Sequence, residues 1–171
     1  MHPIIDLMFE NEQPKSVFEV GCSASTFLLE FSTERNVIVG GLDIDNSNYK
    51  TSIDRLPKYK DNFYLHDACK VPWPIPSKTY DIVFTVGTLL LIPDPFPVIK
   101  EMMRLAKHKI ILAEFDDDEL DVYGFYGKVP QPIPWKEMRI ARSYRKVFQE
   151  LNISCEIIPG ILGKTFIKCS V

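Results

Sequence analysis

Short apolar runs recur along the chain at spacings that leave room for helices between them. They occupy residues 16–20 (SVFEV), 36–42 (NVIVGGL), 62–66 (NFYLH), 80–86 (YDIVFTV) and 109–114 (KIILAE). β-branched and aromatic side chains dominate, and several runs lack polar alternation, as expected of parallel strands covered on both faces. Two further runs, 153–158 (ISCEII) and 165–170 (TFIKCS), flank the turn-rich stretch PGILGK. That stretch is too short for a crossover helix, so the last two strands are expected to be antiparallel.

Helices fit the gaps. One is expected around 24–31, after a glycine turn. Another opens at DPFPVIKEMMRLAK, with Asp94 as cap and Pro95 at the first helical position. A third, PWKEMRIARSYRKVFQELN, carries Met138, Ala141, Tyr144, Phe148 and Leu151 at helical spacing. A weaker helix is expected over 3–10. The pattern predicts one α/β domain over 1–171, with a mostly parallel sheet, helices on both faces and right-handed crossovers. In such sheets a ligand lies beyond the carboxyl ends of the strands, where strand order reverses. Residues 19–25, 43–45, 66–69, 85–92 and 114–121 are therefore the ones to interrogate.

Composition narrows the function classes. The chain of 171 residues is 46% hydrophobic and 25% charged, ordinary for a globular domain. A formal net charge of −3 gives no general attraction to nucleic acid or anionic membranes. No apolar run approaches twenty residues, so no membrane partner is expected. The start, MHPIIDLMFENEQPK, is too acidic for a secretory signal. Cys22, Cys69, Cys155 and Cys169 form no C-x-x-C pair, and the three histidines are dispersed. The expectation is reduced thiols in a cytoplasmic protein and no metal site.

The chemistry concentrates at the strand ends. In SVFEVGCSASTF, Gly21 permits a positive φ and a close ligand, and the helix that follows offers free N–H groups to an anion. A dinucleotide loop would show two more glycines where this chain has Ser23 and Ser25, which speaks against a nicotinamide-dependent reductase. A small carboxylate needs less room, and either serine hydroxyl can donate to it. Asp43 follows Gly21 at the interval of an acid that accepts from ribose hydroxyls, and Asp45 either points the same way in the strand or already stands in the loop. Asp67 is placed to accept from the exocyclic amine of an adenine, with Ala68 supplying a backbone N–H.

Together these residues resemble the class I S-adenosylmethionine-dependent methyltransferases of the small-molecule type, over nearly the whole chain. FEVGCSAS resembles the family's E-x-G-x-G-x-G motif, GLDID its acid-ended second strand, and LHDA its adenine-side motif. YDIVFTVGTLLLIPDP resembles the fourth-strand motif, which ends in a proline-aspartate turn. The resemblance implies a Rossmann-like sheet of order 3-2-1-4-5-7-6, its last strand antiparallel, and S-adenosyl-L-methionine as cofactor. It implies that Glu19, Gly21, Cys22, Ser23, Ser25, Asp43, Ile44, Asp67, Ala68 and Val86 bind the cofactor, with its methionine carboxylate near Gly21.

For catalysis the candidates are Glu114, as base or acceptor-orienting group, and His66, with a structural strand-end role as its alternative. His108 falls at the opposite end of its strand and is set aside. Six carboxylates within residues 114–121 form a solvated acidic rim or favour a cationic or neutral acceptor. Residues 115–134 are expected to form a lid, with Tyr123, Phe125 and Tyr126 either covering the substrate or packing on the core. The expected activity is methyl transfer to a small molecule such as a sugar or other metabolite. The alternative is a catalytically silent subunit of the same fold that binds a protein partner, and a homodimer is open.

Overall fold

The computed structural model describes residues 3–10, 13–23, 27–114, 148–149, 151–159 and 165–171. Among them seven strands form a single sheet: β1 (Ser16–Val20), β2 (Ile38–Asp43), β3 (Phe63–Leu65), β4 (Tyr80–Val86), β5 (Ala106–Glu114), β6 (Cys155–Pro159) and β7 (Thr165–Ser170). Their order is β3-β2-β1-β4-β5-β7-β6. The first five run parallel, and β7 lies antiparallel to both β5 and β6. The strand order and the antiparallel last strand are those expected from the sequence.

Alternate residues of the central strands feed two separate cores, one on each face. Phe18, Val20, Ile110 and Leu112 point to a core closed by α4 (Phe96–Leu105) through Val98, Ile99 and Met102, with Trp73 beside them. Val17, Ile111 and Ala113 point to the other, closed by α1 (Pro3–Phe9) and α2 (Phe27–Thr33) through Ile4, Met8, Leu28 and Leu29. Full burial of each large side chain contributes about 1.5–3 kcal/mol, which is why these strands read as continuous apolar runs.

Some boundaries moved. α3 (Asn46–Arg55) had no counterpart in the sequence reading, because NSNYKTSIDR offers only Tyr49 and Ile53 to the core and fully buries only Ser52. Its start is fixed by Asp45, whose carboxylate accepts from the Ser47 and Asn48 amides at 2.8 and 2.9 Å. α4 begins one residue late: Pro95, not Asp94, takes the N-cap position, and Asp94 one residue ahead of it accepts from the Phe96 amide at 3.1 Å. The expected lid over 115–134 and most of the helix PWKEMRIARSYRKVFQELN lie outside the described residues.

The expectation of four reduced thiols is corrected. Cys155 and Cys169 face each other across β6 and β7 with Cα atoms 4.3 Å apart, and they form a disulfide. Antiparallel register brings together two cysteines that no C-x-x-C spacing advertised. Cys22 and Cys69 are free. No helix among the described residues is long and apolar enough to cross a membrane, and none of their side chains form a metal-holding cluster.

At the amino ends of the strands, buried Asp81 ties three segments together. It accepts from the Lys15 and Ser16 amides at 2.6 and 3.1 Å and pairs with Lys107 at 3.0 Å. Burial raises its pKa, but the Lys107 ammonium and the two amides outweigh burial and hold it below the ordinary carboxylate range. Asp81→Ala leaves two N–H groups without an acceptor and is expected to lower unfolding stability by about 2–4 kcal/mol at pH 7. The carboxylate's folded pKa is the lower one, so its contribution is present above the unfolded value of about 3.9 and fades as pH falls through the folded one. Urea denaturation at pH 7 and pH 3 should therefore find the gap between wild type and variant narrowing in acid.

Candidate functional site

The carboxyl ends of β1, β2, β3 and β4 surround a cleft of about 500 Å³, within the usual range of small-ligand sites. β1 pairs with β2 on one side and β4 on the other, so the cleft stands where strand order reverses.

β1 enters the cleft through Gly21, whose φ is +71°. A Cβ there would overlap the hydroxyl and methyl of Thr88, so the Thr88 side chain packs on the Gly21 backbone at a distance only glycine allows. The Gly21 and Cys22 amides donate to the Leu42 carbonyl at 2.9 and 3.1 Å. Ser23 then adopts a left-handed φ of +50°. Its amide donates to Asp43 Oδ2 at 2.8 Å, a charge-assisted bond that offsets the cost of placing serine in that conformation.

Asp43 is buried at the end of β2 with 7% exposure. Its Oδ1 accepts from the Asp45 amide at 2.8 Å and from Asn48 Nδ2 at 3.3 Å. A carboxylate has about four acceptor positions, so three internal donors leave one for a ligand. Beyond β3, Asp67 closes its own turn by accepting from the Cys69 amide at 2.9 Å. Ala68 is locked to the core through its carbonyl, which accepts from Trp73 Nε1 at 3.0 Å. β4 delivers Val86 and then Gly87, left-handed at +65°.

Gly21, Ser23, Asp43, Ile44, Asp67, Ala68 and Val86 all line the cleft, as the strand-end argument expects. Ser25 lies outside the described residues. Four other candidates stand elsewhere. Cys22 is buried with its thiol 3.7 Å from the Ser52 hydroxyl, and burial pushes its pKa up to about 12. Glu19 is buried below the turn, its pKa held well above the usual range first by burial and then by Asp43. The ring of His66 is tied to the Lys70 carbonyl at 2.8 Å and does not line the cleft. Glu114, expected at the rim, is fully buried with its carboxylate turned inward to the Thr88 and Leu89 amides.

The family model described as a methyltransferase domain matches residues 18–113, over half of the chain. The chain belongs to this family. Its members are class I S-adenosylmethionine-dependent methyltransferases, and that sulfonium compound is the family's cofactor. No curated protein sequence matches. Solved structures share the fold. A methyltransferase of Aquifex aeolicus, described as S-adenosylmethionine-dependent, superposes with a TM-score of 0.70 at 16% identity, over 99% of this chain and 88% of that one. A complex of the Haloferax volcanii Trm112 methyltransferase activator with its methyltransferase gives 0.67 at 14%, over 91% and 82%. Magnesium protoporphyrin IX methyltransferase of Synechocystis PCC 6803, with bound S-adenosylhomocysteine, gives 0.66 at 15%, over 98% and 80%.

The residues of this methyltransferase fit the cofactor. The cleft has a glycine at its closest backbone approach, acids at the ends of β2 and β3, and two exposed apolar side chains, Ile44 at 68% and Leu91 at 48%. Gly87, Thr88 and Leu91 also line the cleft; the strand-end rule covered them within 85–92 without singling them out, although a glycine just past an apolar strand was a usable signal. Asp45 had been placed on the right side but without its capping role.

Ser23 offers a direct test of the loop. Ser23→Gly removes the left-handed strain while keeping the amide that Asp43 binds, and should raise unfolding stability by about 1 kcal/mol. Chemical denaturation of the two proteins, compared at equal slope, measures it; a loss of stability would show that the serine hydroxyl outweighs the backbone.

Proposed function

We propose that this methyltransferase transfers the cofactor's methyl group to a small-molecule acceptor, such as a sugar or other metabolite. The observation that carries the reading is the cleft: about 500 Å³ at the switch point, walled by Asp43, Asp45 and Asp67. Three carboxylates favour a neutral or cationic guest and repel a polyanion, in line with a net charge of −3 and with no nucleic-acid partner. The Synechocystis structure, named for a porphyrin substrate, is an example of the same fold with a small acceptor.

In this reading Asp43 offers its remaining lone pair to a ribose hydroxyl, and Asp45, exposed beside it, offers a second acceptor. Ile44 and Leu91 cover the apolar faces of the adenine, with Asp67 and Ala68 at its edge and Val86 nearby. Gly21 and Ser23 leave room for the methionine carboxylate. The cofactor supplies an electrophilic methyl on a good leaving group, so holding the acceptor in line does most of the work; proximity alone contributes roughly 7–11 kcal/mol. A strong general base is needed only for a poorly acidic acceptor.

A second reading, a silent subunit that holds a protein partner, has its support in Ser23, a strained non-glycine residue in the cofactor loop. The Haloferax relative, solved with its activator, is an instance of this fold working beside another protein. A cytoplasmic location rested on reduced thiols, and the bonded Cys155–Cys169 pair removes that support.

Calorimetric titration with S-adenosylhomocysteine separates the readings. Wild type should bind, NAD should not, and Asp43→Ala should weaken S-adenosylhomocysteine by about 1–3 kcal/mol. Heat from wild type at millimolar ligand indistinguishable from buffer would favour the silent subunit. Turnover of a metabolite mixture with methyl-labelled cofactor then identifies the acceptor.

A further inference from the structure

The turn that forms the β4 side of the cleft has no cap of its own. Residues Leu89–Leu91 make one turn of 3-10 helix, and Thr88 ahead of it makes no capping side-chain hydrogen bond. The free amides are satisfied from a different strand. Glu114, last residue of β5, places Oε1 3.0 Å from the Thr88 amide and 3.1 Å from the Leu89 amide. The Thr85 hydroxyl shares its proton between the Val20 carbonyl at 3.1 Å and the same Oε1 at 3.3 Å. One oxygen atom thus gathers the ends of β4 and β5 and, through Thr85, that of β1.

We propose that Glu114 is a positioning residue for cofactor binding, whose buried carboxylate fixes turn 87–91 and so sets the wall that Thr88 and Leu91 present to the ligand. The inference rests on the reading of the cleft as the S-adenosylmethionine site. Thr88 is the coupling element, because it presses on Gly21 closely enough to exclude a Cβ. A turn freed from Glu114 would shift the contact on which the opposite wall rests. Leu91, half exposed, and Ile92 follow in the same segment and line the cleft.

Glu114 stays out of the cleft while its Oε1 holds the turn amides, so this acid serves the turn rather than the substrate. Oε2 is buried and has no hydrogen-bond partner among the described residues, and Glu114 does not line the cleft. Burial pushes its pKa up to about 7 against the opposing pull of the Leu89, Thr88 and Leu90 amides and the Thr85 hydroxyl. The groups facing it from β4 and the turn are neutral donors, and across β5 its register partner on β7 is Thr165. Glu19, the other buried carboxyl near the cleft, is coupled to Asp43 and not to Glu114. The ionised form holds the two amides by charge-assisted bonds, roughly twice as strong as neutral ones. The turn is therefore tightest above neutrality.

The test compares full-length wild type with Glu114→Gln, which keeps an acceptor oxygen in place but cannot ionise. In nitrogen-labelled protein, the Thr88 and Leu89 amide resonances of wild type should titrate together with a midpoint near 7 and stay fixed in the variant. Calorimetry with S-adenosylhomocysteine should find wild-type affinity falling severalfold from pH 8 to pH 6. The Gln variant should hold the weaker value at both. Static amides in wild type, or a variant that matches wild-type affinity at pH 8, would overturn the proposal. Failure of wild type to bind S-adenosylhomocysteine at any pH would overturn the cofactor reading itself. The amide titration needs no ligand and keeps the two failures apart.

Discussion

The cleft depends on one buried carboxylate. Asp43 ends β2, yet its side chain and carbonyl hold the loops of two neighbouring strands and the start of α3. Oδ2 takes the Ser23 amide, Oδ1 takes the Asp45 amide, and the main-chain carbonyl takes the His66 amide at 2.9 Å. Bonds to a charged acceptor contribute about 1.5–3 kcal/mol each, enough to hold a serine at a φ that a side chain resists. The loop after β1 is thus shaped less by Gly21 alone than by an acid at the end of the neighbouring strand.

The far side of the cleft is built by contact rather than charge. Gly21 and Thr88 meet with no space for a Cβ, and the amides of the Thr88 turn are held from below by β5. Acid-held loop and glycine-packed turn face each other across the carboxyl end of β1. The apolar Ile44, just past β2, and Leu91, in the turn that follows β4, stand to either side of it.

Much of this was legible in the sequence, and the reasons are specific. The strands buried on both faces wrote themselves as VFEV, IVFTV and IILA, because alternate residues enter different cores and both must be apolar. The rule about strand ends pointed to the side where the cleft opens, and Asp43, Asp67 and Gly21, singled out by it, line that cleft. What was not legible needed the third dimension. α3 has a polar sequence because it lies at the surface and takes its start from a cap. Glu114 occupies the last position of a strand, and its sequence neighbours, a run of acids, suggested solvent; only the backbone shows its carboxylate turned under the turn after β4. The pairing of Cys155 with Cys169 required the antiparallel register of β6 and β7.

The place of β7 has a consequence for how the sheet is made. β5 lies in the interior of the finished sheet, but its outer neighbour is the strand furthest along the chain, running in the opposite sense. During synthesis β3, β2, β1 and β4 can assemble with β5 while the rim of β5 still shows unpaired amides and carbonyls, the kind of surface that recruits foreign strands. Lys107 and Lys109 charge the early part of that rim, whereas its later part, Ile110–Ala113, is wholly apolar. A nascent chain of this protein is therefore most prone to stray pairing after β5 emerges from the ribosome and before β7 does.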